Sequence, residues 1–385
     1  MGGATRPPRV AIVAGEASGD LLGSHLIDAL KARRADIEFV GIAGPKMISA
    51  GARSLFPMEK LSVNGYVEVL RHLPEILGIR RKLRRALLAD PPDLFIGIDA
   101  PDFNLGLEAD LKARGIPTLH YVSPSIWAWR GERINKIARA VSRMLVVFPF
   151  EEGIYRKAGI PVTYVGHPLA DALPDQPDRA AMRERLKLSA DQPLLALLPG
   201  SRVGELTRHA QLFVDTARLI HAQRPEVGFL VPLLSRETRA VFERALDSAG
   251  ILLPVRIMVG HADYAMTAAD AVLVASGTAT LEAALLKRPM VITYRVPRLT
   301  AWMMRRQAYL PWVGLPNILA NREVASEFLQ ENATPEKLAQ ALLELLTDNA
   351  RRSAIEAEFA HQHRLLKCDT AARMAEAVLP YLVRE

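Results

Sequence analysis

Short apolar runs alternate with longer stretches whose apolar positions recur every three to four residues, and this rhythm continues along most of the chain. Val10–Ala14, Ile37–Ile42, Leu94–Ile98, Thr118–Val122, Met144–Val147 and Thr163–Val165 read as strands. Between them, Asp20–Arg33 and the segments 74–89, 103–114, 131–141 and 150–158 carry helical spacing. Strands without polar alternation are buried on both faces, so the pattern predicts a parallel sheet with helices on either side. The rhythm lapses at Leu169–Asp178, where prolines and acids stand among few large apolar residues, as in a linker. It restarts with strands at 194–198, 227–232, 255–259, 271–275 and 289–293 and helices at 205–222, 236–249 and 279–286. From Pro335 to Val383 the spacing is helical, in three pieces. The expected architecture is α/β, with two doubly wound Rossmann-like domains facing one another across a cleft. The boundaries expected are 1–170 and 171–350, then a helical tail, 351–385, that packs back on the first domain or on a partner subunit of a homodimer.

The length of 385 residues supports this division, since it exceeds one ordinary core and suits two domains of about 170–200 residues. A formal charge of +7 favours a polyanionic partner: nucleic acid, an anionic membrane surface or a phosphorylated substrate. Composition does not choose among them. Cys368 is the sole cysteine, which rules out an intrachain disulfide and fits a reducing compartment. Met1–Arg9 lacks the apolar core of a signal peptide, and no run approaches the roughly 18 apolar residues of a membrane span. A soluble or peripheral protein is expected.

The chemistry concentrates at strand ends. After 194–198 comes Pro199-Gly200-Ser201-Arg202, and after 271–275 comes Ser276-Gly277-Thr278, each running into a helix. A buried strand ending in such a turn leaves N–H groups at a helix start, where an anion can sit. Arg202 adds a bidentate fork for phosphate oxygens. Glu205 either orients Arg202 or stabilises the helix start. Glu282 is placed to accept from both hydroxyls of a ribose; the alternative is an acidic first turn that favours the helix dipole. Together these residues suggest a nucleotide with a diphosphate and a ribose diol.

In the first half, Gly15-Glu16-Ala17-Ser18-Gly19-Asp20 follows a strand but lacks G-x-G-x-x-G spacing, and its acid disfavours a pyrophosphate. Glu16 is expected to reach sugar hydroxyls; Ser18 and Asp20 either join it or cap the helix. Asp99, delivered to the end of a strand, suits a general base on an incoming hydroxyl, against the alternative that it or Asp102 caps the next helix. Asp102 and Asn104 are assigned to capping and turn structure. Trp127 and Trp129 line an acyl or sugar site or, the reading that pattern favours, pack a domain edge. His167 reads as a hinge or packing residue. No D-x-D occurs and the histidines lack metal spacing, so no metal and no cofactor is expected.

Val67 and Leu70 precede a stripe of Leu73, Ile76, Leu77, Leu83 and Leu87 flanked by Arg80, Arg81, Lys82, Arg84 and Arg85. A second cluster holds Trp302, Met303, Met304, Arg305 and Arg306. Each alone reads as an ordinary core stripe; together, exposed, they suit a bilayer surface.

Taken in order, these motifs resemble the lipid-A-disaccharide synthase family. The resemblance runs from Gly15–Asp20 through Gly41-Ile42-Ala43-Gly44-Pro45-Lys46-Met47, Asp99-Ala100-Pro101-Asp102-Phe103-Asn104 and Ser123–Trp129. It continues through Pro149-Phe150-Glu151, Gly166-His167-Pro168-Leu169, Pro199–Arg202, Ser276–Glu282 and Pro316-Asn317-Ile318-Leu319. It implies a metal-independent, inverting GT-B glycosyltransferase at the cytoplasmic face of the inner membrane. Such an enzyme joins UDP-2,3-diacylglucosamine to 2,3-diacylglucosamine 1-phosphate (lipid X), giving a β-1,6 disaccharide and UDP. By resemblance, Arg202, Glu282 and Asn317 contact the donor nucleotide, Asp99 is the base, and the Glu16/Ser18 loop lies on the acceptor side. No nucleic-acid partner is implied. The competing readings are a UDP-sugar epimerase, a GT-B transferase with another acceptor, and a non-catalytic polyanion-binding protein.

Overall fold

The computed structural model describes residues 6–61, 66–128, 131–297, 301 and 310–382, with the side chains at 66–71 left aside. The chain divides into two units, Met1–Asp171 with Leu366–Glu385, and Ala172–Leu365.

The first unit runs β1 (Arg9–Ala14), α1 (Ala17–Arg33), β2 (Glu38–Ile42), α2 (Pro45–Ser49), β3 (Ala52–Ser54), α3 (Tyr66–Ala89) and β4 (Leu94–Ile98). It continues with α4 (Pro101–Lys112), β5 (Thr118–Tyr121), α5 (Ile134–Ala140), β6 (Arg143–Val146), α6 (Pro149–Lys157), β7 (Val162–Tyr164) and α7 (Pro168–Ala172). The strands pair in parallel in the order β3-β2-β1-β4-β5-β6-β7. β1 and β4 are buried along their whole length, as expected of central strands covered on both faces. The order changes direction between them, and that switch point is where open α/β sheets part their loops and leave room for a ligand.

The second unit runs α8 (Arg179–Arg185), β8 (Leu194–Leu198), α9 (Val203–Gln223), β9 (Gly228–Leu233), α10 (Arg236–Asp247), β10 (Val255–Val259) and α11 (Ala262–Ala268). Then follow β11 (Ala271–Ala275), α12 (Thr278–Leu285), β12 (Met290–Tyr294), α13 (Leu315–Ala320), β13 (Ser326–Leu329), α14 (Pro335–Thr347) and α15 (Asn349–Leu366). Its sheet, also parallel, has the order β10-β9-β8-β11-β12-β13, with the switch point between β8 and β11. The chain then returns to the first unit as α16 (Thr370–Val378). There the Asp171 carboxylate accepts from the backbone N–H groups of Cys368, Asp369 and Thr370 at 3.0, 3.0 and 2.7 Å, fixing the start of α16.

Several elements differ from the sequence reading. The helix expected from Asp20 begins at Ala17, so Ser18 lies in its first turn and Glu16 takes the N-cap position without a side-chain cap bond. Asp20 caps neither that helix nor a ligand: buried, it accepts from Lys46 N and Met47 N at 2.9 and 3.0 Å and caps α2. α3 extends through Pro74 rather than starting there. The segment read as a linker opens with α7.

Candidate functional site

In the second unit, the turns after β8 and β11 flank the switch point and border a cavity of about 480 Å³. Gly200, Ser201, Arg202 and Glu205 line one side, Ser276, Gly277, Thr278 and Glu282 the other, and Pro232, Leu234 and Ala262 an apolar end. Gly200 stands at φ +126° and Gly277 at φ +142°, conformations that a side chain resists. A Cβ on Gly200 would also fall 2.8 Å from that of Glu205.

The two mouths are not alike. The Glu205 carboxylate accepts from Ser201 N at 3.2 Å and Arg202 N at 3.4 Å, so it caps α9 and occupies N–H groups expected to meet an anion. Between the two roles open for Glu205, the structure favours the helix start. Arg202 itself is exposed and makes no side-chain hydrogen bond or ion pair among the described residues. At the second mouth, Ser276 Oγ donates to Val313 O at 3.3 Å, and a Cβ on Gly277 would meet nothing within 4 Å. The backbone there is open to a ligand. Glu282 stands half-buried in the cavity wall, where burial, and secondarily the charge of Asp263, raises its carboxyl above the ordinary range. A carboxylate so placed gains from hydroxyl donors.

The resemblance assigns Asn317 to the donor nucleotide. Asn317 is fully buried and outside the cavity lining. Its amide donates to Ala325 O and Glu327 Oε1 at 2.7 and 2.8 Å, and its oxygen accepts from Val324 N and Ala325 N at 2.7 and 2.9 Å. Glu327 in turn accepts from Val313 N and Gly314 N, both at 2.9 Å. Asn317 thus connects to the second mouth indirectly, through the segment that Ser276 touches and through Leu315 N, which donates to Thr280 Oγ1 of α12 at 3.3 Å.

In the first unit, the turns after β1 and β4 flank the other switch point. They press together: a Cβ on Gly15 would fall 2.9 Å from that of Ala100. Glu16 and Ser18, both exposed, therefore sit beside the turn that carries Asp99. Asp99 and Ala100 adopt left-handed conformations at φ 48° and 43°, rare for residues with side chains and characteristic of functional turns. Asp99 N donates to Tyr121 O at 2.9 Å, and Asn104 Nδ2 donates to Asp99 O at 2.8 Å, which holds the turn. Asp102 points outward and meets Arg133 at 3.2 Å.

Further along the same sheet edge, Trp127 packs edge-on against Phe148 and Phe150 and donates Nε1 to the buried Glu151 at 3.1 Å. Burial raises Glu151 to about 7 against the opposing hydrogen bonds from Phe148 N, Ser123 and Trp127. Trp127, half-buried, thus packs against the first unit's own aromatic residues; Trp129 lies outside the described residues. The sequence reading missed Glu108 and His120, a buried pair below the Asp99 turn whose only outward sign was a histidine inside an otherwise apolar strand.

On α3 the expected stripe splits. Leu83 and Leu87 are core residues, whereas Leu73 and Leu77 are each 40% exposed and Ile76 half-buried. Arg81 is exposed and Arg80 half-buried. The side chains of Val67 and Leu70, and Trp302, Met303, Arg305 and Arg306 entirely, lie outside the described residues. Among the described residues, no helix is long and apolar enough to cross a membrane, and no group of three or more His, Cys, Asp or Glu is placed to hold a metal ion.

Comparison with known proteins places this geometry. The chain is 60% identical to the lipid-A-disaccharide synthase of Methylobacillus flagellatus, over 97% of its own length and 100% of the relative's. It is 57% identical to that of Aromatoleum aromaticum, over 98% and 96%. Among solved structures it resembles a UDP-GlcNAc 2-epimerase from Neisseria meningitidis bound to UDP-GlcNAc (TM-score 0.62, 13% identity, 97% of this chain and 99% of that one). It also resembles CalG4, the calicheamicin glycosyltransferase (TM-score 0.61, 17% identity, 98% and 99%). These likenesses show the fold, GT-B, as the resemblance implied. The family model for Lipid-A-disaccharide synthetase matches residues 10–378, and with these relatives it shows that the chain belongs to the lipid-A-disaccharide synthase family, as a glycosyltransferase of lipid A biosynthesis.

Proposed function

We propose that the protein condenses UDP-2,3-diacylglucosamine with 2,3-diacylglucosamine 1-phosphate (lipid X), forming the β-1,6-linked disaccharide 1-phosphate and UDP with inversion. The observation that carries this reading is the cavity at the β8/β11 switch point, which gathers a free guanidinium, a glycine-opened helix start and a half-buried carboxylate. These match the diphosphate and the ribose diol of a UDP-sugar. The apolar end at Pro232 and Leu234 suits the base. The relatives' names and the UDP-GlcNAc held by the epimerase neighbour support the same ligand class.

In the reaction, Asp99 takes the proton of the acceptor's 6-hydroxyl as its oxygen attacks the anomeric carbon opposite the diphosphate. The bond to UDP breaks, and the departing charge is met by Arg202 and the amides at the start of α12. We assign this neutralisation to the protein rather than to a metal because the whole sequence lacks a D-x-D pair. The first unit would thus serve the acceptor and the second the donor. Acylated substrates reside in a bilayer, and the exposed Leu73 and Leu77 beside Arg81, Lys82 and Arg85 suit docking on the anionic cytoplasmic face of the inner membrane.

Incubation with labelled UDP-2,3-diacylglucosamine and 2,3-diacylglucosamine 1-phosphate tests the proposal: a β-linked disaccharide is expected, undiminished by EDTA. No disaccharide, or an α linkage, overturns it. Vesicles of anionic lipid at low salt should sediment the protein, and Leu73→Ser/Leu77→Ser should weaken that binding.

A further inference from the structure

Beneath the Asp99 turn the first unit buries an acid and a base that the mechanism leaves unused. Glu108 on α4 and His120 on β5 are both fully buried, with Glu108 Oε1 2.7 Å from His120 Nδ1. The sheet makes room for them. Gly97 is the register partner of His120, and a Cβ there would fall 2.2 Å from Glu108 Oε1 and 3.0 Å from Asn104 Cβ. The outer atoms of the cluster, Glu108 Oε2, His120 Nε2 and Asn104 Oδ1, are buried without a hydrogen-bond partner among the described residues.

A buried pair with such unmet atoms is a poor device for stability, since packed apolar side chains of the same volume often do as well or better. Its position offers another use. Asn104 lies one helical turn before Glu108 and donates to both Asp99 O and Ile98 O, at 2.8 and 3.4 Å, so the cluster abuts the left-handed turn. The charges that act on His120 are Glu108 from α4 and Asp99 from the end of β4, while β6 sets the apolar Met144 opposite it. Burial favours the neutral imidazole, but the charge and hydrogen bond of Glu108, joined by the field of Asp99, prevail and raise His120 above its ordinary value.

We infer that Glu108 and His120 form a positioning pair for the reaction: their buried ion pair, set beside Asn104 beneath the strained turn, holds that turn so that the Asp99 carboxylate is aimed at the hydroxyl proton it accepts. The inference rests on the reading of Asp99 as general base. His120 keeps its own proton throughout, and the proton released by the acceptor stays on Asp99 until UDP has left.

The test uses the full chain with Glu108→Gln, the double variant Glu108→Gln/His120→Gln and Asp99→Asn, each assayed for disaccharide formation across pH. The double variant keeps a hydrogen-bonding pair of similar shape without charge. It should lower kcat about tenfold and leave KM within about twofold. Ring nitrogen shifts of ¹⁵N-histidine should show His120 still charged above its ordinary titration range in the parent chain and neutral there in Glu108→Gln. A double variant with the parent's kcat, or a neutral His120 in the parent, overturns the inference. Should the double variant fail to fold, the ring shifts of the parent chain decide alone. An active Asp99→Asn removes the general base and this inference with it; an inactive Asp99→Asn beside an unaffected double variant removes the pair alone.

Discussion

At the switch point of the second unit both turns carry glycine, Gly200 at φ +126° and Gly277 at φ +142°. At that of the first unit, Asp99 and Ala100 enter the left-handed region with side chains attached, at φ 48° and 43°. Presenting bare amides to an anion, the role proposed for the Gly277 turn, calls for a backbone that nothing obstructs, and glycine supplies it. Aiming one carboxylate, the role proposed for Asp99, calls for a side chain; the turn carries strain of about 1–3 kcal/mol per residue and is held by the bond from Asn104 to Asp99 O. The surroundings differ in the same sense. An exposed guanidinium, that of Arg202, lines the cavity of the second unit, whereas the first unit buries Glu108, His120 and Glu151.

If the division between aiming and presenting holds, the two sites should fail in different ways. Asp99→Asn should lower kcat by about 10²–10⁴-fold while leaving the Kd for UDP within about twofold. Equal loss of both would make Asp99 a structural residue. Arg202→Ala should do the reverse and weaken UDP binding by about 10–100-fold, measured by calorimetry, as expected for a charge-assisted contact. Unchanged affinity would remove Arg202 from the donor site.

The first unit also holds a carboxyl whose burial ties stability to pH. Glu151 holds its proton up to about 7 when folded but loses it near 4.5 when unfolded. Its contribution is therefore fully present below 4.5 and is lost as pH rises to about 7, which opposes the gain over nearly the same interval from His167, whose pKa burial lowers to about 4. Glu151→Gln should therefore make Tm rise more steeply with pH than in the parent, and an unchanged slope would remove Glu151 from this balance. The smallest effect expected is that of Ala100→Gly. Relief of the left-handed strain should raise stability by about 0.5–1 kcal/mol, less the greater entropy of the unfolded glycine, at some cost in kcat. A lower Tm would mean that the Ala100 methyl, packed over Gly15, outweighs the strain.

The alternation of apolar runs made several strands legible to the residue: 94–98, 194–198 and 271–275 coincide with the central β4, β8 and β11, and 255–259 with the edge strand β10. The misses are short elements. α2 and α13 span five and six residues, too few for a helical period to show, and the edge strands β3 and β13 span three and four. Among site residues, Gly200 and Gly277 announced themselves because few residues other than glycine tolerate those angles. What the sequence could not show was which donors each polar group would meet. Asp20 finds its N–H partners 26 and 27 residues away, Asn317 a carboxylate ten residues downstream, and Glu108 a histidine across the sheet. Such partnerships are made by topology, and periodicity carries no trace of them.

The clamp at Asp171 bears on biogenesis. The first unit is interrupted: its sheet is complete by Tyr164, yet α16, which packs on α1, is not translated until residues 172–365 have been made. A nascent chain emerges from its amino end, and domains fold as units while it does so. The early sheet must therefore wait, with one flank of α1 uncovered, while the later-encoded unit acquires all its parts first. Released chains truncated near residue 365 should accordingly hold a protease-resistant second unit beside a first that is still readily cleaved.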